Sequence, residues 1–296
     1  MKINGRNNKI KYSWGNRFFS TINAILLGIL ALLSVLPYIN LLAVSFSSTW
    51  AVESGKVTFF PIGFTLQNYL SVFTDVSILK AFWISILNTV VGTAFSLLMT
   101  VIFAYPLSRE EFRLKKACMI MIMITFIFSA PVIPWYLAMR AMGLYDNFAA
   151  LVIPSALNTF NIVIVRSFFM GTPQALIDSS KVDGCGEIRT LIQVILPISK
   201  PVMATVGLMY GVSYWNNYSN PLYLINNRNL YTLQLRLKSL IVDSGQLESM
   251  NVLGTLASPQ ALKMTAIIVA TIPILCVYPF LQKYFVTGMT LGAVKE

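Results

Sequence analysis

Residues 81–108 read AFWISILNTVVGTAFSLLMTVIFAYPLS, a stretch without a single charged side chain. A helix of about 20 apolar residues crosses the ~30 Å hydrocarbon core of a membrane. Five more charge-free windows of similar kind lie at 18–52, 117–139, 147–165, 201–227 and 264–282. Runs such as Met119 to Ile124 are apolar at every position, so the alternation of a barrel is absent and helices must satisfy the backbone. We therefore predict an all-α, polytopic membrane protein with six transmembrane helices.

The composition supports a lipid environment for the whole chain. Hydrophobic residues make up 56% of the 296 residues and charged residues only 11%, and the mean hydropathy is +0.69, whereas a soluble domain carries about 25% charged residues. We reject the window 57–74 as a span because Pro61, Gly63 and Gln67 interrupt it. The apolar stretch Ile22 to Val44 is longer than the roughly 7–15 residues of a signal peptide, so we expect a retained first span.

The distribution of basic residues predicts the orientation. If the N-terminus is cytoplasmic, six spans place fifteen of the 22 lysines and arginines inside and seven outside, which is the bias of the positive-inside rule. We expect both termini in the cytoplasm of a bacterium and the chain in its cytoplasmic (inner) membrane. The net charge of +11 then reflects topology, and the basic arm 1–17 does not indicate a nucleic-acid partner.

Several classes of chemistry find no support in the sequence. The chain has no histidine, and its cysteines, Cys118, Cys185 and Cys276, show no paired spacing, so we predict neither a metal site nor a disulfide. No G-x-x-x-x-G-K-[ST] loop is present to hold ATP phosphates. We expect no catalytic residues and no cofactor, and any energy from ATP must come from a partner.

The segment 170–200, between spans four and five, is predicted to be cytoplasmic. Thr172 can cap a helix that starts at Pro173, and Asp183-Gly184 is a turn signal that would end it. A second amphipathic stretch, with Ile188, Leu191, Ile192 and Ile195 at helical spacing, runs to Pro197. The spacing predicts a helix–turn–helix at the membrane surface, which is either a plain interfacial loop or a docking element.

This segment resembles the "EAA" loop of permease subunits in ABC importers. The residues that match are Pro173, Leu176, Asp178, Ser179, Ser180, Asp183, Gly184, Cys185, Leu196 and Pro197. The family usually has Glu-Ala-Ala where this chain has Asp-Ser-Ser at 178–180. The resemblance implies a cytoplasmic coupling helix in which Asp178, Ser179, Ser180, Asp183, Gly184 and Cys185 dock an ATPase.

Other stretches resemble the carbohydrate-importer branch of the maltose-permease type. They are Pro61 to Tyr69, Trp215-Asn216 and Gln282 to Lys295, while 183–187 and 230–235 look closer to permeases for complex or uronic-acid-containing oligosaccharides. The resemblance implies a permease subunit that moves sugar by alternating access. It also implies a second homologous permease subunit, two cytoplasmic ATPase subunits and an extracytoplasmic sugar-binding protein as partners.

Span five carries a dense polar and aromatic cluster from Ser213 to Asn220. We predict that Tyr214, Trp215, Asn217 and Tyr218 line the substrate path. Tyr210, Tyr214, Asn217, Tyr218 and Pro221 would share one face of a continuous helix. Two alternatives stay open here: the aromatic residues mark the outer membrane interface, or the asparagines bond neighbouring helices.

We expect one permease domain over 1–296, with the arm 1–17, the docking loop 170–200 and a cytoplasmic tail 283–296. The main rival is an ion-coupled secondary transporter, which needs an ionisable residue deep in the membrane. None of the eleven acidic residues falls inside a predicted span. A structural or assembly protein without a transport role is a third possibility, and it would not need a docking loop.

Overall fold

The structure is a computed structural model that describes residues 14–242 and 258–293. In these two ranges every regular element is helical, which confirms the predicted all-α class. Most of the basic arm 1–17 and the end of the tail 283–296 lie outside the described residues.

The described helices are α1 (Trp14–Ser45), α2 (Thr49–Glu53), α3 (Gln67–Thr74), α4 (Val76–Ser108), α5 (Lys115–Ile127), α6 (Val132–Ala141), α7 (Ala149–Val152), α8 (Thr159–Met170), α9 (Gln174–Val182), α10 (Glu187–Thr190), α11 (Leu196–Ile198), α12 (Lys200–Asn216), α13 (Ser219–Leu224), α14 (Leu233–Val242) and α15 (Pro259–Ala293). Single 3-10 turns lie at Ile153–Ser155 and Arg228–Leu230, and a π-helical turn at Leu191–Ile195.

Three of the described helices are long and apolar enough to cross a membrane by themselves. They are Phe18–Ser45 of α1, the whole of α4, and Pro259–Val277 of α15, and they overlap the first, second and sixth charge-free windows. Up to five spans result if each of two bent helix pairs counts as one. The window 57–74 holds only the short helix α3, as expected.

Because of bends and breaks, the described helices differ from the six continuous transmembrane helices that the sequence predicted. Ala149–Ser155 and Thr159–Met170 meet at 57°, and Glu187–Ile198 and Lys200–Asn216 meet at 83°. The window 117–139 is divided between α5 and α6, with Pro131 at the start of the second helix. Proline lacks the N–H group that a continuous helix needs at this point.

The described residues form two compact units, and the smaller lies within residues 1–69 and 256–268. Its core contains Ala43, Val44, Ala51, Val52, Val57 and Ala261. The buried amide of Asn68 donates to the carbonyls of Ser45 and Ser47 at 2.9 and 3.0 Å. A buried amide with these partners holds the polar segment after α2 in one conformation.

The larger unit lies within residues 70–255 and 269–296. Its core joins α4, α8 and α12 through Ala104, Val165, Phe169 and Val206. The α4 helix begins at the cap Asp75, whose carboxylate accepts from the Ser77 N–H at 2.7 Å.

The other end of α4 is closed by a side chain from α8. The Nε of Arg166 donates to the carbonyl of Leu107 at 2.9 Å. A cation at the C-terminal end of a helix satisfies a free carbonyl and opposes the negative end of the helix dipole.

Candidate functional site

The predicted docking helix is α9, and it starts one residue later than the sequence suggested. Pro173, not Thr172, holds the N-cap position. The Thr172 N–H still bonds the carbonyl of Phe169 at 3.2 Å, so Thr172 closes the turn that follows α8. Its hydroxyl is buried and bonds no described residue.

The end of α9 has the geometry that Asp183-Gly184 predicted. Gly184 has a φ of +77°, a conformation that glycine adopts without steric cost. The N–H of Cys185 bonds the carbonyl of Ser180 at 2.9 Å, and the N–H of Gly184 bonds that of Lys181 at 3.1 Å. This pair of bonds is a Schellman motif, and it fixes the direction in which the chain leaves α9.

The structure separates the six predicted docking residues into one that faces inward and five at the surface. Asp178, Ser179, Asp183 and Gly184 are exposed, and Cys185 is half-buried. Ser180 is buried, and its hydroxyl lies 3.0 Å from that of Thr190 in α10. The serine that replaces the usual alanine therefore ties α9 to the helix that follows the turn.

Apolar side chains surround the turn between α9 and α10. Val182 is 88% exposed and Ile188 is 75% exposed. The predicted apolar face of the second stretch is only partly buried, because Ile195 lies in the core while Ile192 is exposed. The π-helical turn Leu191–Ile195 interrupts the regular spacing on which that prediction rested. We name Val182, Ile188 and Ile192 the turn surface.

An ion-pair cluster joins α9 to the loop after α4. The ammonium of Lys181 lies 3.0 Å from the carboxylate of Glu111 and 3.6 Å from that of Glu187. The Tyr105 hydroxyl donates to Glu187 at 2.5 Å. Glu111's own backbone N–H and then the Lys181 ammonium lower the pKa of Glu111, and the hydrogen bond that Lys181 donates to Glu111 raises the pKa of Lys181. Sequence reasoning missed this cluster because no spacing relates residues 111 and 181.

The predicted substrate face of span five is not one continuous face, because α12 ends at Asn216. Asn217 has an extended backbone, with φ −72° and ψ 115°. The chain resumes as a helix only at Ser219. Tyr210 and Tyr214 do share a side of α12, whereas Asn217 and Tyr218 lie in the break.

The two tyrosines of α12 bond the broken backbone between α7 and α8. The Tyr214 hydroxyl donates to the carbonyl of Val152 at 2.8 Å and lies 2.9 Å from the Ser96 hydroxyl. The N–H of Asn158 donates to the Tyr210 hydroxyl at 3.1 Å. Both rings are buried. These bonds satisfy groups that the bend releases from the helix ladder.

Trp215 is also buried, and its ring meets Phe82 edge-on at 6.1 Å. It lines an apolar cavity of about 260 Å³. The Gly211 backbone and Pro273 form part of the wall. The indole N–H has no hydrogen-bond partner among the described residues.

The break after α12 meets the end of the turn Ile153–Ser155. The amides of Asn217 and Asn220 donate to the hydroxyl of Ser155 at 3.2 and 2.8 Å. Tyr218 is 44% exposed, and the ammonium of Lys238 lies 4.6 Å from the centre of its ring. Of the four predicted path residues, Tyr218 presents the most accessible aromatic face.

Comparisons with known proteins agree with this architecture. Residues 102–291 match the family described as "Binding-protein-dependent transport system inner membrane component". The polygalacturonan/rhamnogalacturonan transport system permease protein YtcP of Bacillus subtilis (strain 168) is 38% identical, over 95% of this chain and 99% of YtcP. Protein LplC of the same organism is 36% identical, over 94% of this chain and 95% of LplC.

A solved structure is similar over most of the chain. It is the crystal structure of a bacterial ABC transporter involved in the import of the acidic polysaccharide alginate. The match has a TM-score of 0.86 and 33% sequence identity, and it covers 93% of this chain and 99% of that chain.

Proposed function

Because this chain belongs to the family of binding-protein-dependent transport system inner membrane components, we propose that it forms half of the pathway through which an oligosaccharide enters the cell. A second, similar permease subunit supplies the other half. The family consists of transport components of ABC importers and not of enzymes. Membership in this family therefore favours an ABC importer over the ion-coupled secondary transporter that the sequence alone left open.

The proposed topology has six crossings of the cytoplasmic membrane. The bent pairs around residues 156–158 and 199 count as spans four and five, and α5 with α6 forms span three. Both termini and the docking loop 170–200 then face the cytoplasm. The charge bias of the loops supports this orientation, and Cys185 should react with a membrane-impermeant thiol reagent only after the cells are opened.

The proposed coupling element is α9 with the turn surface. The supporting observation is that apolar side chains are exposed on a turn whose backbone is held in one conformation by hydrogen bonds. Val182 and Ile188 are 88% and 75% exposed, while the Schellman motif and Ser180 hold the turn rigid. An exposed apolar patch on an ordered element is typical of a protein interface. We infer that two ATPase subunits drive transport, one of them docked on this element.

The proposed cargo is a complex or uronic-acid-containing oligosaccharide, delivered by an extracytoplasmic sugar-binding protein. The relatives support this class: YtcP is named for polygalacturonan and rhamnogalacturonan, and the solved transporter imports the acidic polysaccharide alginate. The proposed path includes Asn217 and Tyr218, where a polar, aromatic break interrupts an otherwise apolar span.

The experiment that tests this function is reconstitution of the chain with its second permease, ATPase and binding protein in proteoliposomes. We expect the four components to co-purify and oligosaccharide to stimulate ATP hydrolysis. Val182→Asp should abolish binding of the ATPase while the permease pair stays inserted, and Val76→Asp, a matched change of an exposed valine in the predicted outer loop, should leave ATPase binding intact. ATPase binding that survives Val182→Asp would contradict the proposed coupling element.

A further inference from the structure

A cation stands over an aromatic ring at the helix break of span five. Tyr218 lies in the break as the N-cap residue of α13, and Lys238 lies on α14. The 4.6 Å between the ammonium and the ring centre is within the range of a cation–π interaction. Because the ring is still 44% exposed, it can contact a ligand while it holds the ammonium in place.

The charge of Lys238 is not neutralised by a carboxylate within residues 14–242 and 258–293. The ion pairs found in these ranges both belong to Lys181. On the same predicted side of the membrane, Asp75 caps α4. The carboxylate of Asp146 accepts from the N–H groups of Asn226 and Asn227 at 2.9 and 2.6 Å. Both carboxylates therefore accept from backbone N–H groups, and neither is ion-paired with Lys238.

A second cation on α14 increases the positive charge. Arg236 donates to the hydroxyl of Ser77 at 2.9 Å, and its Nε is buried without a partner among the described residues. Two positive side chains on one short helix, neither paired with a described carboxylate, favour an anionic ligand over a neutral one.

Polar side chains precede and follow Tyr218 in the chain. Asn217 precedes Tyr218 in the chain, and with Asn220 it donates to the hydroxyl of Ser155. A hydroxyl that accepts from two amides uses both lone pairs and keeps its hydrogen for another acceptor. An aromatic face, a free hydroxyl hydrogen and an ammonium fit a pyranose ring that carries acceptor hydroxyls and a carboxylate.

We propose that Tyr218 and Lys238 form a subsite for one uronate unit of the cargo, with the sugar ring against Tyr218 and its carboxylate on the Lys238 ammonium. The inference rests on the proposed function, and it specifies the charge of the sugar that this site selects. An anionic lipid headgroup could also engage Lys238, and the test below separates the two.

The test compares uptake of trigalacturonate and of its fully methyl-esterified form by the reconstituted complex with its binding protein, in vesicles of phosphatidylcholine alone. The binding protein is the same for every variant, so its own preference cancels when the acid-to-ester rate ratio of a variant is divided by that of the wild type. Lys238→Gln should lower this ratio by about tenfold, the loss of one hydrogen bond to a charged group. Lys238→Arg should keep it within about threefold, because the charge remains.

The control is Lys56→Gln. Lys56 also stands over an aromatic ring, 4.5 Å from the centre of Trp50, and its loss should leave the ratio unchanged. An unchanged ratio in Lys238→Gln overturns the subsite, and so does an equal loss of acid and ester uptake. A ratio that responds to Lys238 only when anionic lipid is added identifies a headgroup site and likewise overturns it.

Failure of the subsite and failure of the proposed function give different results. A wild-type complex that carries the ester but refuses trigalacturonate overturns the subsite alone. A wild-type complex that carries neither compound nor any other oligosaccharide overturns the proposed function.

Discussion

The ring of Tyr214 lies directly against Gly92: a Cβ atom at residue 92 would be 2.7 Å from two of the ring carbons. Real Cβ atoms essentially never come closer than 3.0 Å to such neighbours. The absence of a side chain on α4 at this point is what allows the buried tyrosine of α12 to reach Ser96 and Val152.

Gly92→Ala should destabilise the larger unit. The added methyl group must displace a buried ring, which costs roughly 1–3 kcal/mol in a packed core. Gly211→Ala is the matched control on the same interface, because its Cβ would lie 3.6 Å from the Thr93 hydroxyl, an ordinary contact. Thermal inactivation of the purified complex measures both. Equal stability of the two variants would show that the ring moves freely.

Tyr214→Phe should lower the free energy of unfolding by about 1–3 kcal/mol, because the carbonyl of Val152 then lies buried without a donor. Tyr218→Phe is the control, since it removes the hydroxyl of an exposed ring. If Tyr214 also touches sugar, uptake per folded complex should fall in addition. Uptake that falls only in proportion to the amount of folded complex assigns Tyr214 a structural role and removes it from the predicted substrate path.

Asn217→Ala should reduce oligosaccharide uptake while basal ATPase activity and assembly persist, if the break lines the path. Ser155→Ala is the informative comparison, because it removes the hydroxyl on which two amides converge without removing either amide. Uptake and ATPase activity are measured side by side in proteoliposomes. A parallel loss of both activities in Asn217→Ala would indicate that this residue only holds two helices together.

Gly184→Ala should weaken coupling between ATP hydrolysis and transport. An L-residue at a φ of +77° costs roughly 1–2 kcal/mol, although nothing lies within 4 Å of the added Cβ. Gly184→Trp should uncouple the complex and leave it inserted. Gly186→Ala is the control, since its φ of −75° suits any residue and the space around it is equally open. Normal transport by Gly184→Trp at normal expression would refute the coupling role.

The Lys181–Glu111 ion pair should make no pH-dependent contribution across the neutral range. The pKa of Glu111 is lowered, so its contribution is present above the unfolded value of about 4.3 and is lost as pH falls through the folded value. The pKa of Lys181 is raised, so its contribution is lost only as pH rises above about 10.4.

We expect the difference in melting temperature between the wild type and Glu111→Gln to stay small and constant from pH 6 to 8, as for other exposed pairs. The same comparison in 1 M salt is the control, because screening should reduce the difference further. A difference that changes steeply near pH 7 would require another titrating group in the cluster.

The sequence was sufficient for features that depend on solvent or on neighbouring residues. The C-terminal end of α4 and the position of α1 follow from where charged side chains stop and resume, because lipid excludes charge, whereas α4 begins at Val76, before the charge-free window. The turn at Asp183-Gly184 follows from local backbone preference, and the structure confirms it with a positive φ at Gly184.

The bends could not be predicted in the same way, because distant residues hold them. Tyr210 and Tyr214 of α12 bond the N–H of Asn158 and the carbonyl of Val152. No local pattern in the sequence around 156–158 predicts these distant partners. The predicted face of span five assumed that the helix continues past Asn216. It ends there, and the side-chain amide of Asn217 donates to the hydroxyl of Ser155 in the break.

The 83° bend at Ser199 gives the chain from Glu187 to Asn216 an L shape, with one helical arm on each side of Ser199. At about 1.5 Å per residue, the arm from Glu187 to Ile198 is ~18 Å long and α12 is ~25 Å long. The bend at Ser199 is held in one conformation because the Ser199 N–H bonds the carbonyls of Ile195 and Leu196. A force on the arm from Glu187 to Ile198 would therefore rotate α12 about Ser199. If both arms stay rigid, a displacement of about 3 Å at Glu187 would move Asn216 by about 4 Å.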